Sequence, residues 1–206
     1  MARRTKEQSE ETRQQIIEAA RSVFHRNGVT GSSLEMVARE AGLTRGAIYW
    51  HFKGKAEIFL AVRQSVLSPI QEEIESIFAS GRCTDPLNAI ELALRRFFEI
   101  LEAHPEVKMV LETITCRCEQ VAEFADVRSD IEWSTTDFLL RLEYVYCEAA
   151  ALGVLAPGLS PAAIARDTWV FFYGLVSRFL LSDAGGMFRG RVAEMISFHM
   201  ALRRAA

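Results

Sequence analysis

The chain has 206 residues, half of them hydrophobic and a quarter charged, with a formal net charge of −3. Five prolines and twelve glycines are too few for a disordered, collagen-like or linker-dominated chain, so one or two compact domains are expected. No apolar run approaches the roughly 18 residues of a bilayer span, and the basic N-terminus lacks a secretory apolar segment, so a cytoplasmic protein without membrane contact is expected.

Helical periodicity begins at residues 12–27, where Ile16, Ile17, Ala20, Val23 and Phe24 share a stripe and Gly28 stands as C-terminal cap. Ser32-Ser33-Leu34-Glu35 reads as a capping box, with Ser32 satisfying an orphan amide and Glu35 reaching back. It opens a short helix with Leu34, Val37 and Ala38 inward. Gly42 ends that helix, Thr44 caps the next, and Ile48 and Phe52 form its buried (i, i+4) pair. A longer helix from Lys55 carries Ile58, Phe59, Val62, Val66, Ile70, Ile74, Ile77 and Phe78. After the break at Gly81 to Pro86, helices are predicted over about 86–102, 105–120, 126–152, 160–182 and 187–203. His104-Pro105, Gly153 to Pro161 and Gly185-Gly186 separate them, and Ser160-Pro161 is a strong start signal. No alternating β run of useful length appears, so the fold class is all-α.

Cys83, Cys116, Cys118 and Cys147 match no zinc framework, and a disulfide scaffold does not suit a chain of this size; they read as small packing residues, with a thiol sensor as the alternative. His25, His51, His104 and His199 are scattered, and no metalloprotease motif, phosphate loop or nucleophile elbow occurs. Neither an enzyme nor a cofactor nor a metal site is expected.

The charge is unevenly spread: residues 1–63 carry +4 and residues 64–206 carry −7. Basic charge at one end suits a polyanion, although a solvated face gives the same bias. Within it, Ala38, Gly42 and Ile48 have the spacing of a helix-turn-helix: a small residue for close approach, a turn glycine, and an apolar pin. With Ile48 and Phe52 inward, the second helix turns Arg45, Gly46, Ala47, Tyr49, Trp50, His51 and Lys53 outward. Gly46 and Ala47 suit approach to a groove wall, and Arg45 can fork onto guanine or reach a phosphate. Tyr49 and Trp50 are costly to expose unless something covers them; packing against the first helix is the alternative. Lys55 stands at a helix start, where amides and a cation jointly hold phosphate.

The run from Thr44 to Lys55, preceded by Glu11-Thr12-Arg13 and by Ser33-Leu34-x-x-Val37-Ala38-x-x-Ala41-Gly42, resembles the DNA-binding domain of TetR-family transcriptional regulators, in particular the AcrR/TtgR-like branch that controls multidrug efflux pumps. Weaker echoes are Cys118-Glu119 and Gly174-Leu175 with Arg178-Phe179-Leu180-Leu181. The resemblance implies an N-terminal three-helix helix-turn-helix domain over residues 1–54 and a larger helical ligand-binding and dimerisation domain over 55–206. It implies a homodimeric repressor on a palindromic operator, released by small hydrophobic, drug-like molecules. Carried over by position, Arg45, Gly46, Ala47, Tyr49 and His51 would face bases or adjacent backbone, and Ser33, Thr44, Trp50 and Lys55 would contact phosphates. Arg3, Arg4 and Lys6 would add backbone or minor-groove contacts, or form a solubilising tail. A regulator of another pathway, an activator, and a dimeric module without DNA binding remain open alternatives.

In the larger part, Leu111 with Thr115, Thr135 with Phe138 and Leu142, and Trp169 with Phe172, Tyr173 and Val176 form three helical stripes. Ordinary core explains any one of them; the hydroxyls of Thr115, Thr135 and Tyr173 on apolar stripes suit a greasy cavity with polar handles. The corresponding helices line the drug pocket in the resembled branch, so these nine are the ligand-site candidates. Glu112, Asp137 or Asp167 would favour cationic ligands, though Asp137 and Arg141 read more simply as an (i, i+4) ion pair. The resemblance gives the last two helices the dimer interface; Val192, Met195, Ile196, His199 and Met200 suit its apolar seam, and an internal core nearly as well.

Overall fold

A computed structural model describes residues 6–80, 85–116, 125–181 and 188–205, with the side chains of 114–116 and 125–135 outside the described part. Arg3, Arg4, Cys83, Cys118 and Gly185-Gly186 therefore lie outside it, as do the side chains of Thr115, Thr135 and Cys116. The described residues are all-α, as expected. α1 (Lys6–Asn27) buries Ile16, Ile17, Ala20, Val23 and Phe24 and is followed by Gly28 at φ +71°. It starts before the apolar stripe, because its polar first turn leaves no periodic signal.

α2 (Leu34–Glu40) corrects the predicted cap. Ser33, not Ser32, is the N-cap, its hydroxyl accepting from the Met36 amide at 3.3 Å. Ser32 is buried and donates to the Gly28 carbonyl at 2.6 Å, closing the preceding loop. Two adjacent serines carry the same chemistry, and burial assigns their roles. α3 (Arg45–Tyr49) follows a turn at Gly42, φ +64°, and is capped by the Thr44 hydroxyl on the Ala47 amide at 3.2 Å.

α4 (Lys55–Ala79) runs through Pro69, which has no N–H to offer the Ser65 carbonyl one turn back. α5 (Pro86–Ala103) starts on Asp85, whose carboxylate accepts from the Leu87 and Asn88 amides. α6 (Pro105–Cys116), α7 (Ala125–Ala151) and α8 (Pro161–Leu181) follow. A 3-10 turn at Arg189–Arg191 leads into α9 (Val192–Ala201), which is shorter than the predicted 187–203. Leu202 and Arg203 form a turn at its end, after which the chain bridges to Leu155 at Arg204; the Ala156 amide donates to Arg203 O at 2.8 Å and the Ala205 amide to Val154 O at 2.9 Å, tying the tail to the α7–α8 connection.

The chain divides into two compact units, Met1–Ser68 with Glu106–Asp130, and Pro69–Pro105 with Ile131–Ala206. In the first, Ile16, Val37, Ile48, Phe52 and Ile58 are fully or almost fully buried, and Phe24 meets Phe59 edge-on at 5.9 Å. Glu112 of α6 lies 3.4 Å from His25 and 3.3 Å from Lys108. In the second, Leu87, Leu94, Tyr146, Phe179, Ile196 and Met200 form the core, and the Tyr146 and Thr168 hydroxyls share a buried hydrogen bond at 2.7 Å. Arg141 pairs with Glu75 at 2.6 Å; the expected Asp137 partner is exposed, because a facing helix supplies a carboxylate that the helix's own surface was expected to give.

Among the described residues a Cβ added at Gly42 meets no atom within 4 Å, which leaves the left-handed backbone to oppose a side chain there. Gly42→Ala should therefore cost about 1–2 kcal/mol, the strain of that conformation alone, measured by urea denaturation.

Candidate functional site

A five-residue helix cannot stand on propensity alone. α3 exists because Thr44 caps it and because Ile48 (0% exposed) and Phe52 (1%) sink below it, with the Arg13 guanidinium 5.0 Å from the Phe52 ring. That anchoring turns the opposite side outward. Trp50 is 89% and Tyr49 48% exposed, which removes packing against the first helix as an explanation for Trp50. Arg45, Gly46 and Thr44 are exposed, and Ala47, His51, Ser33 and Lys55 are half-buried.

Nothing among the described residues demands glycine at 46. Its φ is not positive, and an added Cβ would find only Thr44 Oγ1, at 3.9 Å. An exposed glycine on a short helix is unfavourable for the helix itself. The Lys55 ammonium donates to the carbonyls of Ser32 (3.1 Å) and Thr30 (3.4 Å), which locks the start of α4 to the α1–α2 loop.

Arg45 does not extend freely. Its Nη1 lies 2.6 Å from Glu35 Oε1, its Nη2 donates to the Tyr49 hydroxyl at 3.1 Å, and the guanidinium carbon sits 5.4 Å from the Tyr49 ring centre. Glu35's own backbone N–H, the Ser33 hydroxyl and the Arg45 charge hold its carboxyl below the usual range. Sequence reasoning placed Glu35 only in a capping box. Its pairing with Arg45 needs the α2–α3 crossing, which no linear spacing encodes.

In the second unit, Phe138 of α7 meets Trp169 at 5.5 Å and Phe172 at 6.1 Å, and Trp169 lies 6.0 Å from Phe172 and 6.2 Å from Tyr173. α5 adds Phe97, edge-on to Phe172 at 4.9 Å, and Phe98 at 6.0 Å. Leu142, Phe172 and Val176 are buried, Phe138 and Trp169 half-buried, and Tyr173 55% exposed. Leu111 is half-buried in the first unit. Phe97 and Phe98 were missed by sequence reasoning, although the strongly amphipathic pattern of α5 could have flagged them. Asp167 pairs with Arg203, and Glu112 with His25 and Lys108, so both carboxylates already have cationic or imidazole partners.

The expected seam on α9 divides. Val192, Ile196 and Met200 are core of their own chain, whereas Met195 and His199 line an open cleft of about 480 Å³ with Phe171, Phe188, Phe198 and Leu202. Phe198 (71% exposed) and Leu202 (68%) extend this apolar face, and α8 exposes Val170 and Leu181. The His199 ring stacks on Phe171 at 3.8 Å, and its Nε2 lies 3.3 Å from Thr168 Oγ1. Burial, reinforced by the Arg203 charge and opposed by Asp167, pushes the imidazole down to about 4. Among the described residues no helix is long and apolar enough to cross a membrane, and no cluster of metal-binding side chains occurs.

Residues 16–62 match the family model described as bacterial regulatory proteins, tetR family. The chain is 33% identical over 181 residues to the HTH-type transcriptional regulator TtgR of Pseudomonas putida, covering 88% of this chain and 86% of that protein. Among solved structures it is similar to NalD, the secondary repressor of the MexAB-OprM multidrug efflux pump in Pseudomonas aeruginosa. The TM-score is 0.81 at 29% identity, over 97% of this chain and 98% of the other. It is also similar to SmeT in its triclosan complex, with a TM-score of 0.80 at 28% identity over 93% of this chain and 90% of the other.

Because the His199 imidazole titrates near 4 in the fold and near 6.5 when free, the unfolded chain takes up its proton first. Stability from this group is complete above about pH 6.5 and is lost as pH falls toward 4. His199→Gln should flatten that part of the pH dependence of Tm, read from thermal melts between pH 7 and pH 4.5.

Proposed function

Since this chain belongs to the tetR family of bacterial regulatory proteins, we propose that it is a ligand-responsive repressor of a multidrug efflux operon. It acts in the cytoplasm as a homodimer on a palindromic operator, by binding equilibria and without turnover. The observation that carries DNA reading is the outer face of α3: a solvated Trp50, a glycine at 46 that the fold itself does not need, and Arg45 beside Tyr49. Arg45, Gly46, Ala47, Tyr49 and His51 face the major groove, and Ser33, Thr44, Trp50 and Lys55 meet the backbone. Two copies of α3 must then lie about one helical turn of DNA apart, roughly 34–36 Å, or bend the operator. The apolar α8–α9 face, with Phe198 and Leu202 exposed, supports pairing of two chains there.

The ligand-site candidates are the nine residues Leu111, Thr115, Thr135, Phe138, Leu142, Trp169, Phe172, Tyr173 and Val176. The aromatic cluster of α5, α7 and α8 supports an aromatic, largely neutral inducer, since Glu112 and Asp167 are already partnered. The inducer releases DNA by binding one state of the protein better than the other, a coupling of about 1–3 kcal/mol. α4, which supplies residues to both units, is the natural carrier.

Selection from a randomised duplex library should enrich a two-fold symmetric sequence. On it, Arg45→Ala should relax base preference at one position of each half-site, at about 1–3 kcal/mol. Lys55→Gln, which keeps a donor for the Ser32 carbonyl, should weaken all duplexes alike and flatten the log K against log salt slope by about 1 per subunit. Identical behaviour of the two variants would refute this division of roles. Trp169→Ala should raise the triclosan concentration that frees the operator by about tenfold, the loss of one strong aromatic contact.

A further inference from the structure

Resting on Arg45 as the base-reading side chain, we propose that Glu35 sets how sharply this head distinguishes its operator from other DNA, by withholding Arg45 from phosphates. The carboxylate stands 2.6 Å from Arg45 Nη1, and the other terminal nitrogen gives a hydrogen to the Tyr49 hydroxyl at 3.1 Å. Its own backbone N–H and the Ser33 hydroxyl favour the charged carboxylate, so Glu35 stands beside Arg45 as an anion. α2 does not depend on that charge for its cap, because Ser33 Oγ accepts the Met36 amide.

A guanidinium has five N–H donors, and two are committed in this arrangement. A phosphate offers Arg45 an anion, which Glu35 already supplies. Exchanging one for the other gains little and leaves Glu35 facing a negatively charged backbone. A guanine edge differs in kind, since O6 and N7 are neutral acceptors. Arg45 engages them with its remaining donors while keeping Glu35, and no like charges meet. Glu35 thus penalises backbone contact at random sequence more than base contact at the operator, and specificity is that difference. An exposed ion pair contributes little to folding, which leaves this role in binding as the consequence of its geometry.

The test compares the parent, E35Q, R45A and the double variant by fluorescence anisotropy, on the duplex enriched from the random library and on a scrambled duplex of equal length. E35Q should tighten the scrambled duplex about 2- to 5-fold per reading helix, the scale of an exposed ion pair, and tighten the enriched duplex less. Its salt slope on the scrambled duplex should steepen by about 1 per reading helix, as Arg45 gains a phosphate. In the R45A background, adding E35Q should move both duplexes by one common factor. Equal shifts on the two duplexes with Arg45 present, or a changed ratio that persists without Arg45, would overturn the proposal. If E35Q melts below the parent, E35S, which keeps a short hydrogen-bonding group in the first turn of α2, carries the same comparison. Failure of the library to enrich any sequence, or an unchanged base preference in R45A, would instead remove the operator reading on which the proposal rests.

Discussion

Burial of Ile48 and Phe52 beneath a five-residue helix is the constraint on which the exposed face of α3 depends. α3 is too short to persist alone, so beside the Thr44 cap its existence and its orientation come from the same two side chains. Once they are inward, Arg45, Gly46, Tyr49 and Trp50 have nowhere to go but out. The surrounding contacts keep the anchor from shifting. The Gln15 amide donates to the Ala41 carbonyl at 2.8 Å, Arg26 forks onto Glu40, and Lys55 holds two carbonyls of the α1–α2 loop. Rigid presentation of a few side chains is what groove recognition requires.

Polar chemistry in this head is arranged to constrain rather than to decorate. Adjacent serines divide the labour of a loop closure and a helix cap, and a glutamate that looks like a helix-start residue reaches across to the next helix. Each of these bonds is individually modest. Together they leave Arg45 as a side chain with a defined resting position, flanked by an anion and an aromatic ring.

The second unit uses a different logic. The buried Tyr146 hydroxyl is bonded to Thr168, and the terminal nitrogens of Arg203 to Asp167 and the His199 carbonyl, while Arg203 Nε is buried with no hydrogen-bond partner among the described residues. What remains between α5, α7 and α8 is a set of aromatic rings packed edge-on or tilted against one another. On the outside, α9 separates a buried stripe from an exposed one within ten residues, so one helix serves the chain's own core and an external apolar face.

Periodicity, glycine and capping residues by themselves determined the all-α class, most of the helix order, the turn at Gly42 and the outward side of α3, because those features are written within one or two helical turns. Tertiary structure alone decided which of Ser32 and Ser33 caps α2, that Arg45 answers to Glu35, that Arg141 answers to Glu75, and that Phe97 and Phe98 join the aromatic cluster. It also decided that Val192, Ile196 and Met200 are core while Phe198 and Leu202 are surface. A helix with apolar residues around most of its circumference gives no local sign of which stripe its own chain will cover. Contacts between side chains far apart in the chain depend on how helices cross, and that geometry is a property of the packed whole.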